Sequence, residues 1–214
     1  EANAMKIRFF ANASHEVRTP MTAIIGLSEM AADKCNDANV KHFIELVRIS
    51  SKSMLSLLND IFDLAQLETG KLNINPVQFN LHLLLEDLIE IVKFQSGSSS
   101  RKVTLHLDSN LPEMIIADPD RLRQILLNIL GIAAQIARHS EIILRAAMQN
   151  PGTRESCVEF TVSSSDNDDL SRILNNLFDS FVFNQRYLRN EIRKENHLGL
   201  SISKQLIDLM DGKI

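Results

Sequence analysis

Residues 10–20 read F-A-N-A-S-H-E-V-R-T-P, and they lie inside a run of strong helix formers from Ala4 to Asp33. Within that run Ile7, Phe10, Ser14, Val17, Met21, Ile24, Ser28 and Ala31 recur at alternating steps of three and four, which places them on one helical seam. A second helix-rich run, Asn39–Glu68, closes on Gly70, where a C-cap glycine belongs, so a helical hairpin with its turn around Lys34–Ala38 is expected. Its apolar residues make two adjacent rows. Val40, Phe43, Val47, Met54, Leu57, Ile61 and Leu64 form one, and Ile44, Leu55, Leu58, Phe62 and Ala65 the other. That face is too broad for one partner helix, and the economical solution is a homodimer in which two hairpins form a four-helix bundle.

His15 sits one residue off the seam, so its imidazole is expected at the flank of the bundle. A neutral imidazole nitrogen is a competent nucleophile near pH 7, and the adjacent carboxylate of Glu16 can take the proton from the other ring nitrogen as the first attacks. Thr19 lies one turn further on the same face, where its hydroxyl can hold a water in line with a phosphoryl group. Pro20 removes the backbone bond to the carbonyl of Glu16, and a kink is expected there.

Beyond Gly70 the pattern changes to short extended runs at Leu72–Ile74, Val103–Leu107, Met114–Ile116, Glu141–Ala147 and Val158–Val162. Between them helices are expected at Leu81–Gln95 with Asn80 as N-cap, Pro119–Ala137 with Asp118 as N-cap, Asp168–Leu177 and Leu198–Met210. Gly97–Ser100 reads as a turn or short loop, Asn150–Glu155 as a hairpin connection and Ser163–Asp169 as a loop. The reading is therefore an all-α hairpin over residues 1–70 and an α+β or α/β domain over 71–214.

Composition narrows the function classes. The 214 residues carry 23 Lys+Arg against 27 Asp+Glu, net −4, which argues against a protein whose main affinity is for nucleic-acid phosphates. Cys35 and Cys157 are the two cysteines, too few for a zinc cluster or a disulfide scaffold. No apolar run approaches the ~20 residues a membrane helix needs, and the N-terminus has no signal-peptide pattern. The seven glycines are under half the usual share of about 7%, so any site built on glycine-rich loops starts with a deficit.

Ser14, His15, Glu16, Arg18, Thr19 and Pro20 together resemble the phospho-accepting H-box of the two-component sensor histidine kinases. The resemblance continues through D-P-D-R-L-R-Q-I-L-L-N at Asp118–Asn128 and L-G-L-S-I-S-K-Q-L at Leu198–Leu206. It implies a dimeric four-helix bundle followed by an ATP-binding α/β sandwich. It also implies phosphoryl acceptance at His15, with Glu16 as general base and Thr19 assisting dephosphorylation of a partner, the receiver domain of a response regulator. For Arg18 two readings stand, a solvating or pairing charge and a contact to a phosphoryl group or receiver.

The nucleotide motifs depart from the family. Four residues after Asn128, where a second asparagine would help hold Mg²⁺, stands Ile132, and Gln135 replaces the lysine three residues beyond. Ser164 falls at the adenine-reading aspartate of the D-x-G-x-G loop, with Asp166 able to substitute after a shift in register. The G-x-G-L-G-L loop is reduced to Glu195-Asn196-His197-Leu198-Gly199-Leu200, in which Gly199 alone survives and Glu195 adds like charge to a phosphate site.

Asn128, Asp166 and Gly199 are thus read as remnants of a nucleotide site, no metal ligand is assigned, and no cofactor is expected. The leading expectation is a phosphotransfer protein with an inactive ATP-binding domain. An active kinase using ATP and Mg²⁺ in a divergent pocket is the alternative, and a non-catalytic dimeric scaffold partnering other histidine kinases is the third reading. A cytoplasmic location is expected, free or as the cytoplasmic part of a membrane-bound sensor. The chain stops at Ile214, where the family usually continues into further strands, so a shortened or truncated domain is expected.

Overall fold

The computed structural model describes residues 2–95, 102–137, 140–153, 156–165, 170 and 195–214; of these, 2–16, 38, 94–95 and 195–198 are described as backbone only. The chain divides into two compact units, Glu1–Asn73 and Ile74–Ile214.

The first unit is a helical hairpin of α1 (Ala2–Lys34) and α2 (Ala38–Glu68). Both helices run a residue or two longer than their periodicity marks. Asp37 explains the start of α2, because its Oδ1 accepts from the backbone N–H groups of Asn39 (2.8 Å) and Val40 (3.2 Å). At the far end Gly70 takes φ +63°, with its N–H on the carbonyl of Leu67 and that of Lys71 on Gln66. A Cβ at Gly70 meets no neighbour, so Gly70→Ala is expected to cost only the left-handed strain, about 1 kcal/mol, read as a lowered denaturation midpoint.

Burial separates the two apolar rows of α2. Ala65 is buried and Ile44, Leu55, Leu58 and Phe62 are half-buried, whereas Val40 (46%), Phe43 (64%) and Met54 (52%) stand exposed. On α1, Met21 and Ser28 are buried while Ile24 and Leu27 are exposed. Open apolar depressions lie between Ile24, Val47 and Met54, and between Leu27, Val40 and Phe43. One hairpin therefore leaves Val40, Phe43, Val47, Met54 and Ile61 of the first row in contact with water, while Leu57 and Leu64 of that row are half-buried like most of the second.

The second unit packs helices on one face of a mixed sheet. Its described elements are β1 (Val77–Asn80), α3 (Leu81–Gln95), β2 (Val103–Leu107), β3 (Met114–Ala117), α4 (Pro119–Ile136), β4 (Ile142–Gln149), β5 (Cys157–Ser164) and a closing α5 (Glu195–Leu209). β4 is central, parallel to β2 and antiparallel to β5, while β1 and β3 form a separate antiparallel pair. Val103, Ile142, Leu144 and Ala146 face a core that Leu81, Leu85, Leu88, Leu126, Leu130 and Ile132 complete. The opposite sheet face carries Thr104, His106, Arg145 and Thr161, the polar half of the strand alternation.

Asn80 and Asp118 cap the helices that come directly after them. Asn80 Oδ1 accepts from Leu83 N–H (3.0 Å), and Asp118 Oδ1 from Asp120 and Arg121 (3.1 Å each). The other oxygen of Asp118 accepts from Asn75 N–H at 2.9 Å, which explains how this carboxylate tolerates burial at 6% exposure.

Several expectations need correction, among them the bounds of β3, which runs on to Ala117, and of β4, which spans Ile142–Gln149. Leu72–Ile74 is not a strand: Leu72 is buried without a ladder partner, and pairing begins at Val77, past Pro76, where Met114–Ala117 supplies one. β5 extends into the expected loop through Ser164, which pairs with Ile142. α4 ends at Ile136, one residue short of Ala137. The closing helix begins at Glu195, three residues before Leu198. The expected Gly97–Ser100 turn lies outside the described residues, as does the Asp168–Leu177 helix apart from Leu170, which is buried.

Candidate phosphoacceptor helix and nucleotide-site remnant

His15 and Glu16 lie within α1, and their side chains lie outside the described residues. Thr19 is exposed on the following turn. Pro20 stays inside the helix and, lacking an N–H, leaves the carbonyl of Glu16 without its ordinary donor. The hydroxyl of Thr22 donates to the carbonyl of Arg18 (2.9 Å) just across that gap.

Arg18 is tied to α2 as well: its Nη2 donates to Oδ1 of Asn59 at 2.7 Å. Sequence reading missed Asn59, because its role depends on how the two helices align. The hairpin register holds the signal. Glu29 meets Arg48 at 3.9 Å, and stepping back from Glu29 to Arg18 covers as many residues as stepping forward from Arg48 to Asn59.

In the second unit α4 and α5 bring Asn128 and Gly199 together. Asn128 Nδ2 donates to the carbonyl of Gly199 and to Ser203 Oγ, both at 3.1 Å, and Ser203 Oγ donates to the same carbonyl at 2.8 Å. Ser203, fully buried, is the residue of this cluster that sequence reading did not single out. Gly199 is a packing residue here. A Cβ on it would lie 3.1 Å from the Asn128 amide, so its small size lets α5 approach α4. As the fifth residue of α5 it also lies past the four N–H groups that a helix leaves free at its start.

Ile132, at the position of the family's second asparagine, is 1% exposed within the apolar core, and Gln135 is exposed. The Oγ of Ser164, at the adenine-reading position, is buried without a hydrogen-bond partner. Asp166 lies outside the described residues.

Residues 5–70 match the family model for the His Kinase A (phospho-acceptor) domain, and residues 117–214 match the model for the histidine kinase-, DNA gyrase B- and HSP90-like ATPase. The chain belongs to the sensor histidine kinase family. Its helical hairpin followed by a mixed α/β ATPase-type domain is the architecture of that family.

The hybrid signal transduction histidine kinase B of Dictyostelium discoideum is 31% identical over the whole chain, which covers 11% of that protein. The sensor protein GacS of Pseudomonas syringae pv. syringae is 29% identical, again over the whole chain, with 24% of its own length covered. The chain thus spans a quarter or less of these two sensor histidine kinases. Among solved structures, full-length ShkA in complex with AMPPNP superposes with a TM-score of 0.63 at 25% identity, covering 95% of this chain and 41% of that one. The histidine kinase ThkA in complex with the response regulator TrrA shares the fold with a TM-score of 0.51 at 17% identity, covering 96% of this chain and 55% of that one. The family is that of two-component signal transduction. Among the described residues no helix is long and apolar enough to cross a membrane.

Proposed function

We propose that this chain is the phosphotransfer core of a two-component signalling protein, in which His15 exchanges phosphoryl groups with a receiver-domain aspartate and the second unit no longer uses ATP. The observation that carries the second half is Ile132. A side chain 1% exposed in an apolar core offers no oxygen to a hard cation such as Mg²⁺. The packing of Asn128 against Gly199 supports the same reading, because it closes α5 onto α4 with side-chain amide and backbone carbonyl.

In the transfer step a ring nitrogen of His15 attacks the phosphorus of an aspartyl phosphate. The N–P bond forms as the P–O bond to the carboxylate breaks, the carboxylate leaves with the electron pair, and the proton on the other ring nitrogen passes to Glu16. The reverse sequence delivers the group to the receiver. Thr19, one turn away, holds the water that hydrolyses a partner's aspartyl phosphate. ThkA, a relative in fold, is complexed with a response regulator, which supports a receiver as the partner class.

The exposed row of α2 supports a homodimer in which two hairpins bury Phe43, Val47 and Met54 against each other. A cytoplasmic setting accords with the receiver partner.

The second reading, an active kinase, is favoured by one observation: ShkA, alike over 95% of this chain, binds AMPPNP. Calorimetric titration of the folded protein with AMPPNP, with and without Mg²⁺, separates the two. No heat up to millimolar nucleotide is the expected result; micromolar binding strengthened by Mg²⁺ would overturn the inactive reading, and acid-labile transfer of the γ-phosphate to His15 would then establish the kinase.

A further inference from the structure

We propose that Asn59 on α2 is a positioning residue for the phosphoryl chemistry of His15, acting through the guanidinium of Arg18. The proposal rests on His15 being the phosphoacceptor.

Arg18 comes three residues after His15, a spacing that makes the two positions neighbours on a helix surface, with Cβ atoms about 5–6 Å apart. A phosphohistidine adds close to two negative charges at that position. A cation held one turn away lowers the cost of placing them there and of the charge that develops during transfer.

An exposed arginine on a free helix surface samples many rotamers and delivers little of that benefit. Here the 2.7 Å bond from Nη2 to Asn59 Oδ1 selects one side-chain arrangement and leaves the remaining N–H donors of the fork available. The backbone needs the same support. Pro20 opens the helix ladder just past His15, and the bond to Asn59 fastens the turn before the proline to α2. Asn59, half-buried on the facing helix, thus fixes both the charge and the turn that carries it.

The test uses the full chain and ³²P-labelled phosphoramidate as donor. Its P–N bond breaks, ammonia leaves with the electron pair, a new N–P bond forms on His15, and the ring proton passes to Glu16. The readout is the rate at which acid-labile, base-stable label appears, after subtraction of the rate in His15→Ala, since the chain has six histidines. Asn59→Ala is expected to slow labelling roughly three- to ten-fold, the scale of one charge-assisted hydrogen bond at a partly exposed site. Arg18→Ala should do the same, the double variant should be no slower than Arg18→Ala alone, and Asn59→Gln, which keeps the amide carbonyl, should recover most of the rate.

Helix content and melting temperature are monitored in parallel. Labelling of Asn59→Ala at the wild-type rate would overturn the proposal. So would multiplying effects in the double variant, or a loss that tracks helix melting and is not recovered by Asn59→Gln. Equal acid-labile label on the wild-type protein and on His15→Ala would instead remove the reading of His15 on which the proposal stands, so the two failures are distinguishable.

Discussion

Replacing His15 by alanine is expected to abolish acid-labile phosphorylation of this chain, a fall of at least about a thousand-fold, because the attacking nitrogen is removed and alanine offers no nucleophile in its place. Alanine is the best helix former, so α1 should persist and the variant should retain the helix content of the parent. The measurement is label transferred from a phosphorylated receiver, quantified before and after acid treatment. Glu16→Gln should retain the nucleophile but lose the base, and a fall of roughly 10²–10⁴ is expected. Thr19→Ala should leave labelling near the parent rate and lengthen the life of the partner's aspartyl phosphate. Undiminished acid-labile label in His15→Ala would place the acceptor elsewhere and end the proposed mechanism.

The second large effect concerns stability. Ile132→Asn restores the family's residue at the magnesium-holding position, and intuition from the motif alone would expect a gain in nucleotide binding. The structure leads to the opposite expectation. At 1% exposure Ile132 lies in the core formed by α3, α4 and the sheet. An amide there loses the packing of the isoleucine and lacks water, a combined cost of about 3–5 kcal/mol. Urea denaturation of the second unit should show it directly, against a control of Ile132→Val at roughly 1 kcal/mol. If Ile132→Asn kept its stability and gained Mg²⁺-dependent AMPPNP binding, the position would be part of a working pocket and the inactive reading would fall.

Those two residues illustrate different routes from sequence to site. The H-box motif around His15 was legible because it is contiguous: the histidine, the carboxylate and the hydroxyl one turn on, to which the proposal gives its roles, lie within five residues, and helical spacing alone places them on neighbouring faces. Ile132 was legible as a missing oxygen, but its burial was not, since a lone isoleucine in α4 carries no mark of which helices cover it. The same contrast appears in the caps. Asn80 and Asp118 reach only two or three residues along the chain, and their roles arise from local order; the third bond to Asp118, from Asn75, joins residues far apart in sequence.

Leu72–Ile74 and Val77–Asn80 show where local reading misleads. Both stretches alternate apolar and polar residues, and either satisfies the pattern of a strand. The ladder forms at Val77 because Met114–Ala117 lies alongside it, and no property of the shorter stretch could reveal a partner so distant.

The two helices of the hairpin, the α/β character of residues 71–214, the capping residues and the H-box motif around His15 were all present in the order of the amino acids, because each depends on neighbours within a turn or a strand repeat. The bond from Arg18 to Asn59, the closure of α5 on α4 through Asn128, Gly199 and Ser203, and the burial of Ile132 depend on which elements pack together. Such contacts join residues 41 to 75 positions apart, and their existence stems from the alignment of whole helices rather than from any pattern in the residues that make them.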